Sequence, residues 1–383
     1  MTGRLVVTGG AGFIGVPTVR AALDAGWDVH VVDSLRPDVH RSDVHRRGVA
    51  RERLPGRLAA LADLDAASRL SVTVADLRDP GVADAAVDGA DVVVHLAAKV
   101  GLGVSLDDAP DYVDSNGTGT AHVLAAMARR GVPRLVLASS MVVYGEGRYT
   151  DPERPDAASV QPPPRRAADL DRGVFDPLTP TGRPYVPALV TEDAELDPRN
   201  VYAATKLHQE HLAAAWARTS GGTAALLRYH NVYGPGLPAG TPYAGVAALF
   251  LSALAAGTAP RVFEDGAQRR DFVHVDDVAA ANLAAAAWTA SPGSAEGATR
   301  AFNVGSGQVR TVGDLAGELA RAAGGPSPVV TGEYRLGDVR HVTASSERLR
   351  AETGWRPRVA FVDGVADLVG GPLPAAPGSV ATT

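Results

Sequence analysis

The stretch RLVVTGGAGFIGVPTVRAALDAGWDVHVVD, residues 4–33, constrains the fold more than any other part of this chain. A short apolar β-rich run, Leu5 to Val7, meets Gly9, Gly12 and Gly15. An Ala/Leu-rich helical pattern follows, and a second β run from Val29 closes on Asp33. This is the order of a βαβ unit with G-x-x-G-x-x-G at its first turn. Gly9 allows the sharp turn, Gly12 lets backbone approach a pyrophosphate, and Gly15 lets the helix pack closely on the strand. The helix N-terminus then presents free N–H groups and a positive dipole end to the phosphates. Glycines alone would be a weak signal. The strand before them, the helix after them and the acid at the end of the second strand make this a dinucleotide site. Asp33 is placed to accept hydrogen bonds from an adenosine ribose, which favours NAD, while neighbouring Arg36 leaves room for a 2′-phosphate.

Further βα units follow. SVTVADLRD is a strand ending at Asp76 and Leu77, near the expected adenine. ADVVVHLAAKVG is a buried strand that breaks into Leu96, Ala97, Ala98 and Lys99, as a strand passing beneath a cofactor would. PRLVLASSMVVYG places Ser139 and Ser140 just past an apolar stem. Ligands of doubly wound sheets sit at the carboxyl ends of the strands, so both hydroxyls fall on the functional edge. The expected fold class is α/β, a Rossmann-type doubly wound parallel sheet with a smaller C-terminal α/β substrate-binding domain. The larger unit is expected to span 1–230 plus about 271–305, and the smaller 231–270 plus 306–370. Residues 371–383 read as a flexible tail.

Composition narrows the function classes. The chain has 383 residues with a net charge of −6, which disfavours a general binder of nucleic acid or membrane surface. It has no cysteine, so disulfides, thiolate nucleophiles and cysteine metal sites are absent. The longest nearly apolar stretch, AGVAALFLSALAAG, is too short to span a bilayer and reads as a buried helix. Without a leader-like N-terminus, a soluble cytoplasmic protein is expected. His40 and His45, in RPDVHRSDVHRRG, read as part of a solvated charged segment, and no metal is expected.

In NVYAATK, Tyr202 and Lys206 are i and i+4, so a helix would place both on one face. Alone, such a pair reads as an ordinary helix surface, since such spacings arise by chance in long chains. Together, TGGAGFIG, HLAA, SSMVVYG and VYAATK, in that order, resemble the extended short-chain dehydrogenase/reductase family, more narrowly its nucleotide-sugar epimerases and dehydratases. The resemblance runs from Arg4 to about Leu368. It implies Tyr202 as the catalytic acid/base, and Lys206 as the residue that bonds the nicotinamide ribose and lowers the phenol's pKa. Ser140 then holds the reacting sugar oxygen. Asn116, in SNGTGT, is expected near the cofactor, with Ser139, Phe13 and Ile14 also at the cofactor site. A free phenol titrates near ~10, and bringing it to neutrality takes about 4 kcal/mol. A lysine ammonium and a positive nicotinamide ring both favour the phenolate.

The same resemblance assigns the substrate half. LRYHNVYGPG matches Arg-Tyr-x-Asn-x-x-Gly, implying that Asn231 contacts the substrate pyrophosphate. APRVFEDGAQRRDFVHVDDVA implies Val262 and Phe263 near the nucleobase and Arg270 on the diphosphate. EYRLGDVRHVTASSERLRAETGWRPRV implies Arg335 on phosphate and Asp338 on the nucleoside ribose. Arginine suits phosphate because its planar fork is permanently charged. For Arg340, a phosphate contact and an ion pair stay equally open.

Family enzymes of this kind begin by oxidising the sugar at C4. Dehydratases then use an Asp-Glu pair directly after the catalytic hydroxyl, but Met141 and Val142 stand there in this chain. Met141 is instead expected to line the sugar site. The resemblance therefore implies an isomerase, an NAD-dependent 4-epimerase of a dTDP- or UDP-hexose acting through a 4-keto sugar. A dTDP-L-rhamnose-like deoxysugar is the leading substrate. A nucleotide-sugar 4-ketoreductase is the alternative, and a non-catalytic NAD-binding scaffold is the reading from another class. A homodimer packed through the helices bearing Asn116 and Tyr202 is the family expectation.

One departure stands out. The connection across residues 148–191 is long and rich in Pro and Arg, the mark of a functional lid or a disordered insert. Relatives often carry a Cys-Pro-x-Cys-Gly knuckle there, whereas this chain has Leu178-Thr-Pro-Thr-Gly182. Zinc is ruled out by ligand chemistry, so the insert must be ordered some other way or not at all.

Overall fold

The computed structural model describes residues 3–36, 68–101, 106–156, 159–238, 245–291 and 296–371. His40, His45 and nearly all of the C-terminal tail lie outside them. In chain order the first unit is β1 (Arg4–Thr8), α1 (Gly15–Asp24) and β2 (Asp28–Asp33), followed by β3 (Leu70–Val74), α2 (Pro80–Val87) and β4 (Val92–His95). A helical turn, Ala109–Tyr112, runs through a π-helical segment, Val113–Thr118, into α3 (Gly119–Arg130) and then β5 (Arg134–Ser140). The short strands β6 (Arg148–Thr150) and β7 (Val186–Ala188) precede α4 (Val201–Ser220) and β8 (Thr223–Tyr229). Next come β9 (Asn231–Tyr233), α5 (Val246–Ala255), β10 (Arg261–Val262), β11 (Arg269–His274), α6 (Val275–Trp288) and β12 (Thr299–Val304). The chain closes with β13 (Val309–Thr311), α7 (Val312–Ala323), β14 (Val329–Val330), α8 (Glu347–Thr353) and α9 (Phe361–Gly370).

Seven parallel strands form the central sheet in the order β12-β8-β5-β4-β1-β2-β3. The chain starts in the middle, winds outward to β3 and returns to β4 beside β1, with Thr8 opposite His95. Strand order reverses between β1 and β4, and the crevice beyond their carboxyl ends is where such sheets bind ligands. A parallel sheet must be covered on both faces, so its strands read as unbroken apolar runs. Leu5, Val7, Val92 and Val94 face a layer shared with α1 and α6, while Val6, Val93, Leu135 and Leu137 face one shared with α2, α3 and α4. This is the Rossmann-type α/β fold.

A second core lies beside the sheet. Phe250 and Leu251 of α5 meet Phe272, Leu315, Leu319, Val365 and Leu368 there. The apolar run AGVAALFLSALAAG thus supplies a buried helix face. Among the described residues no helix is long and apolar enough to cross a membrane. The assignment of 306–370 to the smaller unit meets a difference at α8. Leu349 and Trp355 join the core of the large sheet, and the Trp355 indole N–H donates to the Asp277 carbonyl at 3.0 Å.

The insert is ordered by charge. Arg165 pairs with Glu264 at 2.8 Å and donates to the Asp338 carbonyl at 2.6 Å. Arg340, with a side chain 1% exposed, pairs with Glu264 at 2.8 Å, Asp265 at 2.7 Å and Asp176 at 2.8 Å. The His341 Nε2 lies 3.1 Å from the same Asp176. The LTPTG turn closes on itself, with Thr179 and Thr181 hydroxyls 2.9 Å apart. Arg340 is therefore an interior ion-pair residue that ties the insert to the turn after β10. Removing one partner of a buried pair leaves the other uncompensated, although Arg165 still reaches Glu264. Arg340→Met is expected to lower unfolding stability by about 3 kcal/mol, read from urea denaturation. A loss near zero would mean the insert is held by other contacts.

Candidate active site

The first turn of the βαβ unit is a cradle that excludes side chains. Gly9 adopts φ 70° and donates its N–H to the Val32 carbonyl at 2.7 Å. A Cβ on Gly15 would lie 2.3 Å from the Gly9 carbonyl oxygen, so only glycine lets α1 start this close to the strand. No acidic residue occupies the first turn of α1 and no side chain caps it, which leaves its N–H groups for an anion. The Asp33 carboxylate fixes the turn, accepting from Ala11 N at 3.0 Å and Leu35 N at 2.9 Å. Arg36 is engaged with Asp111 at 2.7 Å and with Ser115. Lys99 pairs with the same Asp111 at 2.5 Å. Arg36 first and Lys99 second hold the Asp111 carboxyl far below the usual carboxylate range.

Opposite the cradle, α4 meets the carboxyl end of β5. The Asn200 side chain accepts from Ala203 N at 2.8 Å and sets the start of the helix. Tyr202 and Lys206 then share one face, as their spacing predicts. The buried Lys206 ammonium donates to the Ala138 carbonyl at 2.9 Å. Desolvation pushes its pKa down to about 7, with Glu210 acting against the shift. Tyr202 is pushed up to about 12 by burial, and a hydrogen bond with Ser140 works the other way. In the polypeptide alone, then, the phenol is held protonated, and the lysine's effect falls on His95. Burial first and the Lys206 charge second bring His95 down to about 3.

Gly9, Gly12, Phe13, Ile14, Gly15, Asp33, Asp76, Leu77, Leu96, Ala97, Ala98 and Lys99 line one continuous cleft with Ser139, Ser140, Met141, Tyr202, Lys206 and Asn231. Asp76 is bound by Arg78 of its own turn at 2.7 Å. The Ser139 hydroxyl is spent on Glu210 at 2.5 Å, and Glu210 in turn pairs with Arg228 at 2.7 Å. Asn116 does not line the cleft. Fully buried in the π-helical segment, its amide accepts from Lys99 N at 2.7 Å and donates to Lys99 O and to Thr205 Oγ1 at 2.9 Å. That side chain ties the loop after β4 to α4, a positioning task.

The five remaining substrate residues also stand off the cleft, in the region under the insert. Val262 is 1% exposed in the smaller core. The Arg335 guanidinium lies 5.2 Å from the Phe263 ring centroid. Arg270 donates to the carbonyls of Arg269, Arg340 and Val339 at 2.8–2.9 Å. Burial raises the Asp338 carboxyl, with Arg335 and Arg270 opposing. Reading the sequence missed His95, Tyr229, His230, Val246 and Ala247, all of which line the cleft. The sheet-edge rule that found Ser140 also applies to Tyr229 and His230, since Ser140 stands opposite Tyr229.

The chain matches the description "Epimerase: NAD dependent epimerase/dehydratase family" over residues 5–167 and 178–305. The chain belongs to this family. It is 35% identical over 370 residues to a dTDP-L-rhamnose 4-epimerase of Burkholderia thailandensis, covering 95% of this chain and 93% of that one. It is 30% identical to a UDP-glucose 4-epimerase of Mycolicibacterium smegmatis, covering 96% and 97%. Among solved structures it is similar to a UDP-glucose-4-epimerase from Stenotrophomonas maltophila with bound NAD and formylated UDP-arabinopyranose. The TM-score is 0.72 and the identity 27%, over 96% of this chain and 97% of that one. The cofactor of this epimerase/dehydratase family member is NAD, and the residues present fit it. The Gly15 contact lets α1 start against the glycine turn with its first-turn N–H groups uncapped, and the Asp33 carboxylate stands at the end of β2.

The raised phenol gives a direct check. Between pH 10 and 12 an unfolded chain releases a proton that the folded Tyr202 keeps, so this group favours unfolding as pH rises through that window. The difference spectrum of wild type minus Tyr202→Phe should show no tyrosinate at pH 10, and added NAD⁺ should move the titration down. A tyrosinate signal from Tyr202 by pH 10 in the protein alone would contradict the assignment.

Proposed function

We propose that this family member is an NAD-dependent 4-epimerase of a nucleotide-activated hexose, with dTDP-L-rhamnose or a related deoxysugar as its leading substrate. The observation that supports the reading is that Ser140, Tyr202 and Lys206 all line the dinucleotide cleft, with Tyr202 hydrogen-bonded to Ser140. NAD, when bound, would supply the redox chemistry at the sugar C4, a hydride taken up and given back to the opposite face. Tyr202 takes the proton from the 4-hydroxyl and gives it back, while Ser140 orients that oxygen. Burial holds the phenol protonated in the polypeptide alone, so the base form needs added positive charge, which an oxidised nicotinamide would supply with Lys206 on the same helix face. Met141 stands where dehydration would need an acid, which supports a reaction ending in epimerisation. The long identity with a relative that acts on dTDP-L-rhamnose supports the choice of sugar.

The nucleotide end of the substrate is assigned to Asn231 at the cleft and to the five residues that stand off it. Val262 and Phe263 are assigned to the base, Asn231, Arg270 and Arg335 to the phosphates and Asp338 to the ribose. Residues 1–230 with about 271–305 are assigned to the NAD-binding unit, and 231–270 with 306–370, apart from α8 and Trp355, to the sugar-nucleotide unit. A homodimer through the helices bearing Asn116 and Tyr202, working in the cytoplasm, completes the reading.

The test uses purified protein without added cofactor, given dTDP-L-rhamnose, dTDP-glucose, UDP-glucose and UDP-glucuronate separately. A mass-neutral change in the C4 proton coupling by NMR is expected for at least one. Turnover of 4-keto sugars only, and only with added NAD(P)H, would make the protein a reductase. Tyr202→Phe is expected to lower kcat by about 10²–10⁴-fold with bound NAD retained.

A further inference from the structure

Arg36 stands three residues past Asp33, where an arginine can accept the 2′-phosphate of NADP, yet the fold commits it elsewhere. Its two terminal nitrogens donate to the two carboxylate oxygens of Asp111, at 3.0 and 2.7 Å, the fork-on-fork geometry that makes such pairs strong. One of them also donates to the Ser115 hydroxyl at 3.0 Å, and that hydroxyl donates to Asp111 at 3.2 Å. The buried Lys99 ammonium reaches the same carboxylate at 2.5 Å, and Arg78 stands 3.7 Å from it. Arg36, Lys99 and Ser115 line the cleft together with Asp33 and Asp76. Asp111 holds them from the helical turn Ala109–Tyr112.

A 2′-phosphate entering beside the Asp33 carboxylate needs a guanidinium that can turn toward it. Here that guanidinium would first have to give up a paired, charge-assisted contact with Asp111. We infer that Asp111 is a positioning residue that selects the cofactor: by clasping Arg36 it denies NADP the cation its 2′-phosphate requires and leaves the cleft to NAD. Asp33 meets the ribose end of the cofactor directly, whereas Asp111 acts at one remove, through Arg36. Discrimination of this kind is a difference of two affinities, and withholding a partner from the wrong ligand serves it as well as adding one for the right ligand. The inference concerns the dinucleotide alone and holds whichever sugar the protein turns over.

The test dialyses the purified protein against equal concentrations of NAD⁺ and NADP⁺, with tritiated NAD⁺ marking complete exchange, and counts the bound nucleotides after extraction. The wild type should hold almost only NAD⁺. Asp111→Asn should raise the bound NADP⁺-to-NAD⁺ ratio by about 10-fold or more. Lys99 also loses an ion-pair partner in that variant, but both dinucleotides carry the pyrophosphate it could reach, so the ratio reads Arg36. Arg36→Met should leave the wild-type ratio nearly unchanged and should abolish the gain when combined with Asp111→Asn. Asp111→Ser serves where the asparagine variant does not fold. An unchanged ratio in the Asp111 variants would overturn the inference, as would a gain that survives Arg36→Met or a wild type that holds both nucleotides equally. Loss of both nucleotides from the Asp111 variants would also overturn it and leave Asp111 a purely structural role. A wild type that takes up neither nucleotide would overturn the dinucleotide site along with it.

Discussion

The bond from the Lys206 ammonium to the Ala138 carbonyl fixes α4 on the end of β5, and the rest of the cleft is arranged around it. It is made out of water, and that is the source of its chemistry. Burial brings the Lys206 pKa down to about 7 and pushes that of Tyr202 up to about 12, so the lysine is part-way to its neutral form and the phenol is held firmly protonated before any ligand acts. A buried phenol of this kind is controlled by whatever positive charge is brought beside it.

Two buried networks hold that geometry. On one side Glu210 receives Ser139 and Arg228, and Arg228 reaches Tyr144, whose hydroxyl bonds Asn303. On the other, Asn116 joins Lys99 to Thr205 on α4. Satisfied polar networks of this kind specify one arrangement, and a single unsatisfied member is costly.

What was legible in the sequence was local. The glycine turn, the Asp33 position and the Tyr202–Lys206 spacing each depend on contacts within one βαβ unit or one helical turn, and periodicity reports those directly. The clamp on the insert was not legible, because Arg340 meets Asp176 and Glu264 across 164 and 76 residues. The alternative left open for Arg340 closes on the ion pair for the same reason. Asn116 was noticed but placed at the cofactor, whereas the π-helical segment turns its amide inward onto two backbone groups. α8 was grouped with the smaller unit by sequence position, and only packing returns Leu349 and Trp355 to the large sheet.

The most direct measurement is epimerisation in D₂O, with the product examined by proton NMR and mass spectrometry. Inversion at C4 by hydride removal and return keeps the substrate's own hydrogen on that carbon, and the expected product carries no solvent deuterium at C3, C4 or C5. Tyr202 exchanges only the hydroxyl proton, which leaves no trace after isolation. Deuterium at C4 would mean inversion through carbon deprotonation. That result would contradict the role given to Tyr202 and to the cleft it shares with NAD.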